Sequence, residues 1–467
     1  MIRLAHVAPL VLLVLLGGTM TSKAHVSEGG LVMLLPTGHY AAAGFAVVVV
    51  TALAMLALPD NFAGHLFRTW NIRLVAPKVL VTTVNLAAFV ALLLLLASGW
   101  SGTRNPLENP LPLMVWTFWW CILIPVQSLL FDIWRWLNPF AGLARILTAL
   151  RLLGLRSAVL MRLGHWPAAI TWLAFVAFYL ADIAPDDPAR LANFAGGYLV
   201  WTAAGMVLTS PRWWLGHGEF VTVMMRLLSR LAALRRTPHG ISAGIPGHGL
   251  VHLAPAPISL AMLSIAMLAM GSFDGINETF LWLAAIGVNP LEFPGRSAVA
   301  GSTVAGLLAT ILLFMLAFTA AITLGARLSG TWSEVRTSFR WQALALLPII
   351  AGYHIAHYLT VFLVNGQYLL EMLTHWMEDR KGLAVLHHHT EVTTGFLNST
   401  VTVQIIYFVQ AGAVVAGHAI AIMAAHAIAE RMCADRKTAL LSHLPLVIVM
   451  LAYTLVGLWL LAAPRGA

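Results

Sequence analysis

The chain contains repeated apolar runs of about 20 residues with almost no charge, and this feature restricts the fold more than any other. Inside a bilayer no water is present to hydrogen-bond the backbone, so runs of this length must form helices. The sequence therefore predicts an all-α fold, a polytopic transmembrane helix bundle of about ten spans. The expected spans are 40–58, 78–98, 111–131, 166–184, 191–209, 253–271, 298–326, 341–364, 401–427 and 443–462.

Composition excludes the soluble alternatives. Hydrophobic residues make up 60% of the chain and charged residues only 10%, against about 45–50% and about 25% in soluble domains. Two cysteines, Cys121 and Cys433, are too few for a disulfide framework. We therefore expect residues 25–467 to form a single transmembrane helix-bundle domain in contact with the lipid bilayer.

The basic residues indicate a membrane topology. The formal net charge is +9, and most Lys and Arg residues fall in alternate loops between the expected spans. By the positive-inside rule these loops lie inside, which puts both mature termini outside. We expect a multi-pass protein of the bacterial inner (plasma) membrane, and no nucleic acid as a partner.

Two stretches of these basic loops alternate arginines with apolar residues without reaching the length of a span. They are 140–163 and 219–236. Such a pattern is typical of interfacial amphipathic helices on an anionic inner leaflet. The stretches serve either as anchors alone or, as the alternative, for specific recognition of a lipid.

The N-terminus has the pattern of a secretory signal peptide, predicted over residues 1–24. Cleavage after Ala24 would make His25 the first residue, with a free amine and a ring nitrogen for one metal ion. His39 is the nearest residue to complete the site, and nitrogen ligands of this kind favour copper. The alternative is an ordinary leader followed by an incidental histidine.

Histidines inside the expected spans are the strongest functional signal. His354 and His357 are three residues apart in one span, so they share a helix face and can approach one ion or one cofactor edge. His418 and His426 lie in the next span, about 12 Å apart along its axis, too far to bind the same ion. Ionisable residues in spans are functional-site hypotheses by default.

Placed by depth, the histidines form a series that could pass a metal ion or protons. His443 opens the last span beside the expected level of His426. A polar loop predicted over residues 371–391 adds further possible ligands near the outer end. They are His375, Glu378, Asp379, His387, His388 and His389.

The leading hypothesis is a membrane protein that binds a transition metal, most plausibly copper, and transports or delivers it to a donor or acceptor protein. The metal ligands expected are His25, His39, His354, His357, His418 and His426. The alternatives are a redox subunit with haem b held between His354 or His357 and His418, and a structural protein without a cofactor. No catalytic residue can be assigned, and whether the protein is an enzyme stays open.

Several local motifs carry a resemblance. They are 105–107, 115–120, 132–134, 137–139, 351–359, 365–368 and 417–421. Together they resemble a family of uncharacterised bacterial polytopic integral membrane proteins with intramembrane histidines. The resemblance implies an inner-membrane protein with paired histidines on a late helix. It brings no established activity that could be carried over to this chain. A looser resemblance to copper-resistance and oxidase-assembly membrane proteins rests only on an outward N-terminal histidine and histidines inside helices.

Overall fold

A computed structural model describes residues 32, 35–59, 62–72, 78–152, 157–237, 240–252, 254–292, 295–381 and 392–464. The signal peptide predicted over 1–24 and His25 lie outside this part of the chain. The helices are α1 Thr37–Ala57, α2 Phe62–Leu66, α3 Lys78–Ser101, α4 Pro110–Leu129, α5 Trp134–Leu137, α6 Pro139–Ala149, α7 Ala158–Arg162, α8 Trp166–Ala181, α9 Pro188–Leu208, α10 Pro211–His217, α11 Phe220–Leu228, α12 His248–His252, α13 Ile258–Ile276, α14 Phe280–Ala285, α15 Arg296–Ser329, α16 Val335–Gln342, α17 Leu347–Lys381, α18 Thr400–Met432 and α19 Arg436–Ala462.

The all-α fold predicted from the apolar runs is confirmed. Within the described ranges, nine helical segments are long and apolar enough to cross a membrane. The one remaining expected span, 166–184, corresponds to the shorter helix α8, which has 16 residues. The chain is thus a multi-pass membrane protein.

Side-chain caps fix where several of the long helices begin. Asp187 accepts the backbone N–H of Arg190 at the start of α9, and Asp435 accepts that of Thr438 at the start of α19. Ser399 caps α18 in the same way. Each cap satisfies a backbone donor that the first helical turn leaves without a partner. Inside α19, Pro445 interrupts an otherwise regular helical sequence.

The chain divides into two compact units. Unit 1 comprises residues 1–68, 250–357 and 394–467, and unit 2 comprises 69–249 and 358–393. In unit 1, α19 packs against α15, α18 and α1, and α13 packs against α15. In unit 2, α3 packs against α6 and α9, and α8 against α11. The single domain expected over 25–467 stays a prediction.

Glycines allow close backbone contact inside unit 1. A Cβ atom at Gly352 of α17 would lie 2.4 Å from the carbonyl oxygen of Ala413, and one at Gly417 of α18 would lie 2.6 Å from that of Pro348. The backbones of α17 and α18 therefore touch, as small residues permit in membrane bundles.

The two predicted interfacial helices differ from the expectation. Over 140–163, a helix ends at Ala149, Arg151 has a positive φ of 56°, and a short second helix follows at 158. Over 219–236, helix α11 ends at Leu228 and is almost wholly buried in unit 2. The apolar side chains of α11 thus pack against protein. The apolar periodicity predicts that this face is covered, but it does not tell whether protein or lipid covers it.

A small antiparallel sheet takes up the rest of the second stretch. Its strands are β1 Trp70–Ile72, β2 Leu234–Thr237 and β3 Gly240–Ala243, in the order β1-β3-β2. Arg235 pairs with Ser242, and Asn71 pairs with the same residue from the other side. Arg235 and Arg236 therefore lie on a strand rather than on a helix.

Candidate functional site

A buried aspartate and a buried histidine form an ion pair in unit 1. Asp274 lies in the last turn of α13, and its Oδ2 is 3.2 Å from Nε2 of His357 on α17. The side chains are only 4% and 10% exposed, respectively. A carboxylate buried to this degree inside a membrane-spanning helix is costly unless it is paired or protonated. The two side chains must therefore share a proton or carry opposite charges.

Stacking holds the ring of His357 in place. The ring of Tyr353, one turn earlier on α17, lies nearly parallel to it with centroids 5.7 Å apart. Gly275, next to the aspartate, makes room for the tyrosine, because a Cβ atom there would lie 2.0 Å from the tyrosine oxygen. The pair is thus set in a closely packed contact between α13 and α17.

A second polar group in unit 1 surrounds His418. The ring is 1% exposed, and Nδ1 is 2.8 Å from the carbonyl oxygen of Val414. A carbonyl only accepts, so Nδ1 carries the proton, and in the neutral ring Nε2 is left as an acceptor. No donor among the described residues reaches Nε2. The ring of Tyr453 lies 5.5 Å away, and its hydroxyl is 2.7 Å from that of Ser272.

The third polar group contains two histidines and a glutamate. It lies near the C-terminal end of α18 and the N-terminal end of α19. Nδ1 of His443 is 2.7 Å from the carbonyl oxygen of Ala439 and must donate to it. Nε2 of His443 lies 3.2 Å from Nδ1 of His426. The other nitrogen of His426, Nε2, lies 3.5 Å from Oε1 of Glu430. All of these groups are buried or nearly so.

The tautomers of the third group favour a proton between His426 and Glu430. If both rings are neutral, the bond to the carbonyl makes His426 the donor to His443, and the second nitrogen of His426 faces the carboxylate as another acceptor. Two acceptors at that distance repel each other unless a proton lies between them. A proton between these two atoms would turn the contact into a charge-assisted hydrogen bond.

Three of the predicted ligands, His357, His418 and His426, have different partners. His357 contacts Asp274, His418 contacts the rings and carbonyl described above, and His426 contacts His443 and Glu430. Half-buried His354 lies on α17, and His39 is exposed in the first turn of α1. Across the described residues, no three His, Cys, Asp or Glu side chains are placed to hold one metal ion.

The predicted polar loop over 371–391 is partly helical. Helix α17 continues to Lys381, well past the expected end of the span at residue 364. The side chains of His375, Glu378 and Asp379 and the whole segment 382–391 lie outside the described residues. The possible ligands His387, His388 and His389 fall within this segment.

The haem alternative, with the group held between His354 or His357 and His418, stays a prediction. At Gly352 and Gly417 the backbones of α17 and α18 are too close even for an added methyl group.

Several residues of these groups were missed by reasoning from the sequence. Asp274 and Ser272 lie beyond the expected end of the span at residue 271, and the sequence alone predicts no role for Glu430. One signal was available, since an acidic residue within a turn of an apolar run is a candidate intramembrane carboxylate. Which histidine it pairs with depends on long-range packing.

No family model, no curated protein and no solved structure matches this chain. The resemblance to a bacterial membrane protein family stays a prediction.

Proposed function

We propose that the protein moves protons across the membrane through unit 1. The observation that carries this proposal is the pairing of buried histidines with buried carboxylates at two separate levels, His357 with Asp274 and His426 with Glu430. Histidine and carboxylate chains inside spans are typical of proton relays in pumps and transporters.

The chemistry of the pairs suits reversible proton binding. Histidine is the side chain whose charge changes most readily near neutral pH. A neutral histidine beside a protonated acid and an imidazolium beside a carboxylate differ only in the position of one proton. Each pair can therefore hold its proton on either partner, which is what a relay requires.

The spacing of the groups favours a transporter over an open channel. His418 and His426 are eight residues apart on α18, which corresponds to about 12 Å of helical rise. That distance is several times the length of a hydrogen bond. Passage from one group to the next therefore requires movement of side chains, helices or water, which is the behaviour of a gated transporter.

The setting we propose is the inner membrane of a bacterium, with both mature termini outside. The support is the multi-pass fold together with the alternation of basic loops along the sequence. This orientation would put Glu430 and His443 toward the inner side and Asp274 toward the outer side.

Proton flux into liposomes tests the proposal. Purified full-length protein is reconstituted with an internal pH-sensitive dye, and a potassium diffusion potential is applied through valinomycin. We expect flux that Asp274→Asn lowers at least about tenfold, because an amide holds its two hydrogens and cannot pass a proton. Glu430→Gln is expected to lower the flux for the same reason.

Glu334→Gln is the matched control, because Glu334 is an exposed carboxylate of unit 1. Its flux should equal that of the wild type. Flux that stays at the wild-type level in both Asp274→Asn and Glu430→Gln would refute the proposal, as would flux no greater than that of empty liposomes.

Copper binding is a second candidate, and His418 favours it. A ring whose Nδ1 donates to a backbone carbonyl while Nε2 stays available is typical of metal-ligating histidines. The facing nitrogens of His426 and His443 are a less suitable site. Glu430 lies on the opposite side of the His426 ring from His443, so one ion cannot reach all three.

Metal analysis separates the two candidates. Protein purified from copper-supplied cells should hold copper that His418→Ala removes and that His354→Ala and His357→Ala leave in place. A visible spectrum of the same samples tests for haem b through its Soret band. Copper-free wild type would refute the copper candidate and leave the proton proposal unaffected.

A further inference from the structure

A cluster of arginines in unit 2 stands almost without acidic partners. Arg226 lies on α11, Arg230 follows its end, and Arg235 and Arg236 lie on β2. The carboxylate of Asp132 has an electrostatic interaction with Arg226, Arg235 and Arg236. In the described part of unit 2, none of the four forms an ion pair within 4 Å.

Arg230 is the most constrained of the four. Its Nη1 atom is buried and reaches no acceptor among the described residues. Burial, with the charges of Arg235 and Arg226, lowers the pKa of Arg230 to about 10. A buried guanidinium nitrogen without an acceptor is costly, and an anion placed against it would remove that cost.

The pKa of a neighbouring histidine reflects the positive potential of the cluster. Arg226 and Arg230 act on His165, whose ring packs against that of His217 with centroids 4.7 Å apart. Burial, the neighbouring His217 and the arginines lower the pKa of His165 to about 4. Positive charge is thus already in excess at this place, which favours a ligand with negative charge.

The apolar rim of the cluster identifies the source of that ligand. Leu234 donates its backbone N–H to the carbonyl oxygen of Leu130 and forms an isolated β-bridge with Phe131. All three side chains are exposed, and on β2 the side chain of Arg236 lies on the same face as that of Leu234. A phospholipid presents this combination, acyl chains next to a charged phosphate, whereas free phosphate offers no apolar part.

We propose that the arginine cluster binds the phosphodiester headgroup of an anionic phospholipid, with Arg230 as its central donor. Guanidinium groups recognise phosphate through paired, charge-assisted hydrogen bonds. The site is separate from the histidine groups of unit 1 and independent of the function proposed for them.

Lipid binding to the full-length protein tests the site. The protein in neutral detergent is titrated with phosphatidylglycerol or with phosphatidylcholine, and the bound lipid is counted by native mass spectrometry. We expect phosphatidylglycerol to bind and phosphatidylcholine to bind much more weakly. Arg230→Gln should weaken the binding of phosphatidylglycerol by about tenfold or more, and Arg230→Lys by less, since it keeps the charge but loses the planar fork.

Arg336→Gln is the matched control, since Arg336 is exposed in unit 1 and loses the same charge. It should bind phosphatidylglycerol like the wild type. If Arg230→Gln does not fold, Arg235→Gln takes its place, and near-wild-type circular dichroism is required of either variant. Unchanged binding in the folded variant, or an equal loss in Arg336→Gln, would overturn the proposal. Displacement of the lipid by equimolar inorganic phosphate would overturn the assignment to a lipid.

Discussion

Two buried carboxylates, one in each unit, are held by very different partners. Glu219 of unit 2 is 0% exposed and caps α11, where it accepts the backbone N–H groups of Val221 and Thr222 and the hydroxyl of Tyr198. Asp274 of unit 1 is paired with His357. The backbone N–H groups and the tyrosine hydroxyl that hold Glu219 do not release a proton near neutral pH, whereas a histidine can.

The comparison separates a structural carboxylate from one suited to chemistry. Burial raises the pKa of Glu219, and the hydrogen bonds from Thr222 and Tyr198 oppose that shift. Its fixed donors make it part of a network with Thr222, which in turn accepts from Asn138. We therefore expect stability to depend on Glu219 and proton transfer to depend on Asp274.

The largest expected effect comes from removing the structural carboxylate. Glu219→Ala leaves the Tyr198 hydroxyl and two backbone N–H groups buried without an acceptor. We expect the free energy of unfolding to fall by about 3–5 kcal/mol. Unfolding in mixed micelles with increasing dodecyl sulfate measures it, with exposed Glu334→Ala as the control. Equal stability of the two variants would show that Glu219 has no structural role.

A smaller loss of stability is expected where α17 and α18 touch. Gly417→Ala forces a methyl group toward the carbonyl oxygen of Pro348 and should cost about 1–3 kcal/mol. Gly412→Ala is the matched control, because nothing lies within 4 Å of its added Cβ atom. It should be neutral or stabilise the helix by up to about 1 kcal/mol. The same micelle titration compares them, and equal values would mean that the helices are not in close contact.

Asp274→Asn should have a still smaller effect on stability. The amide oxygen can accept from Nε2 of His357 and the volume is nearly unchanged, so we expect a change of about 1 kcal/mol or less in the free energy of unfolding. Together with the tenfold loss of flux expected above, this would separate function from folding. A loss as large as that of Glu219→Ala would make Asp274 a structural residue instead.

The smallest expected effect is a dependence of stability on pH in unit 2. The pKa of His165 is lowered from 6.5 to about 4, because burial and nearby positive charge disfavour the protonated ring. The unfolded chain then binds the proton more readily, so stability falls as the pH drops from about 6.5 toward about 4. We expect the thermal midpoint to fall by about 2–4 °C over this range. His165→Asn should reduce that fall, and an unchanged pH profile in the variant would contradict the assignment.

The sequence was sufficient for the class of fold and for part of the site. Uncharged runs of sufficient length predict spanning helices, because backbone hydrogen bonding inside a bilayer allows little else. Span ends were less certain, and α17 continues to Lys381 where an end at residue 364 was expected. The sheet was missed because β1 and β3 are far apart in sequence and short.

The partners of the histidines could not be predicted for a physical reason. Helices such as α18 are apolar on nearly every face, so periodicity does not indicate which side meets which neighbour. His354 and His357 share a stretch of helix, yet packing sets His357 against Asp274. Such a contact depends on the rotation of α13 and α17 about their axes, which one sequence does not encode locally.

Pro445 gives α19 a mechanical property that bears on the groups it carries. A proline has no N–H, so the carbonyl oxygen of Leu441 lacks its usual helical hydrogen bond. This weak point lies between His443 and Tyr453, in the segment that connects two of the buried polar groups. The helix bends more easily here than elsewhere along its length. A bend at Pro445 would change the distance between the two groups while the ends of α19 stay packed.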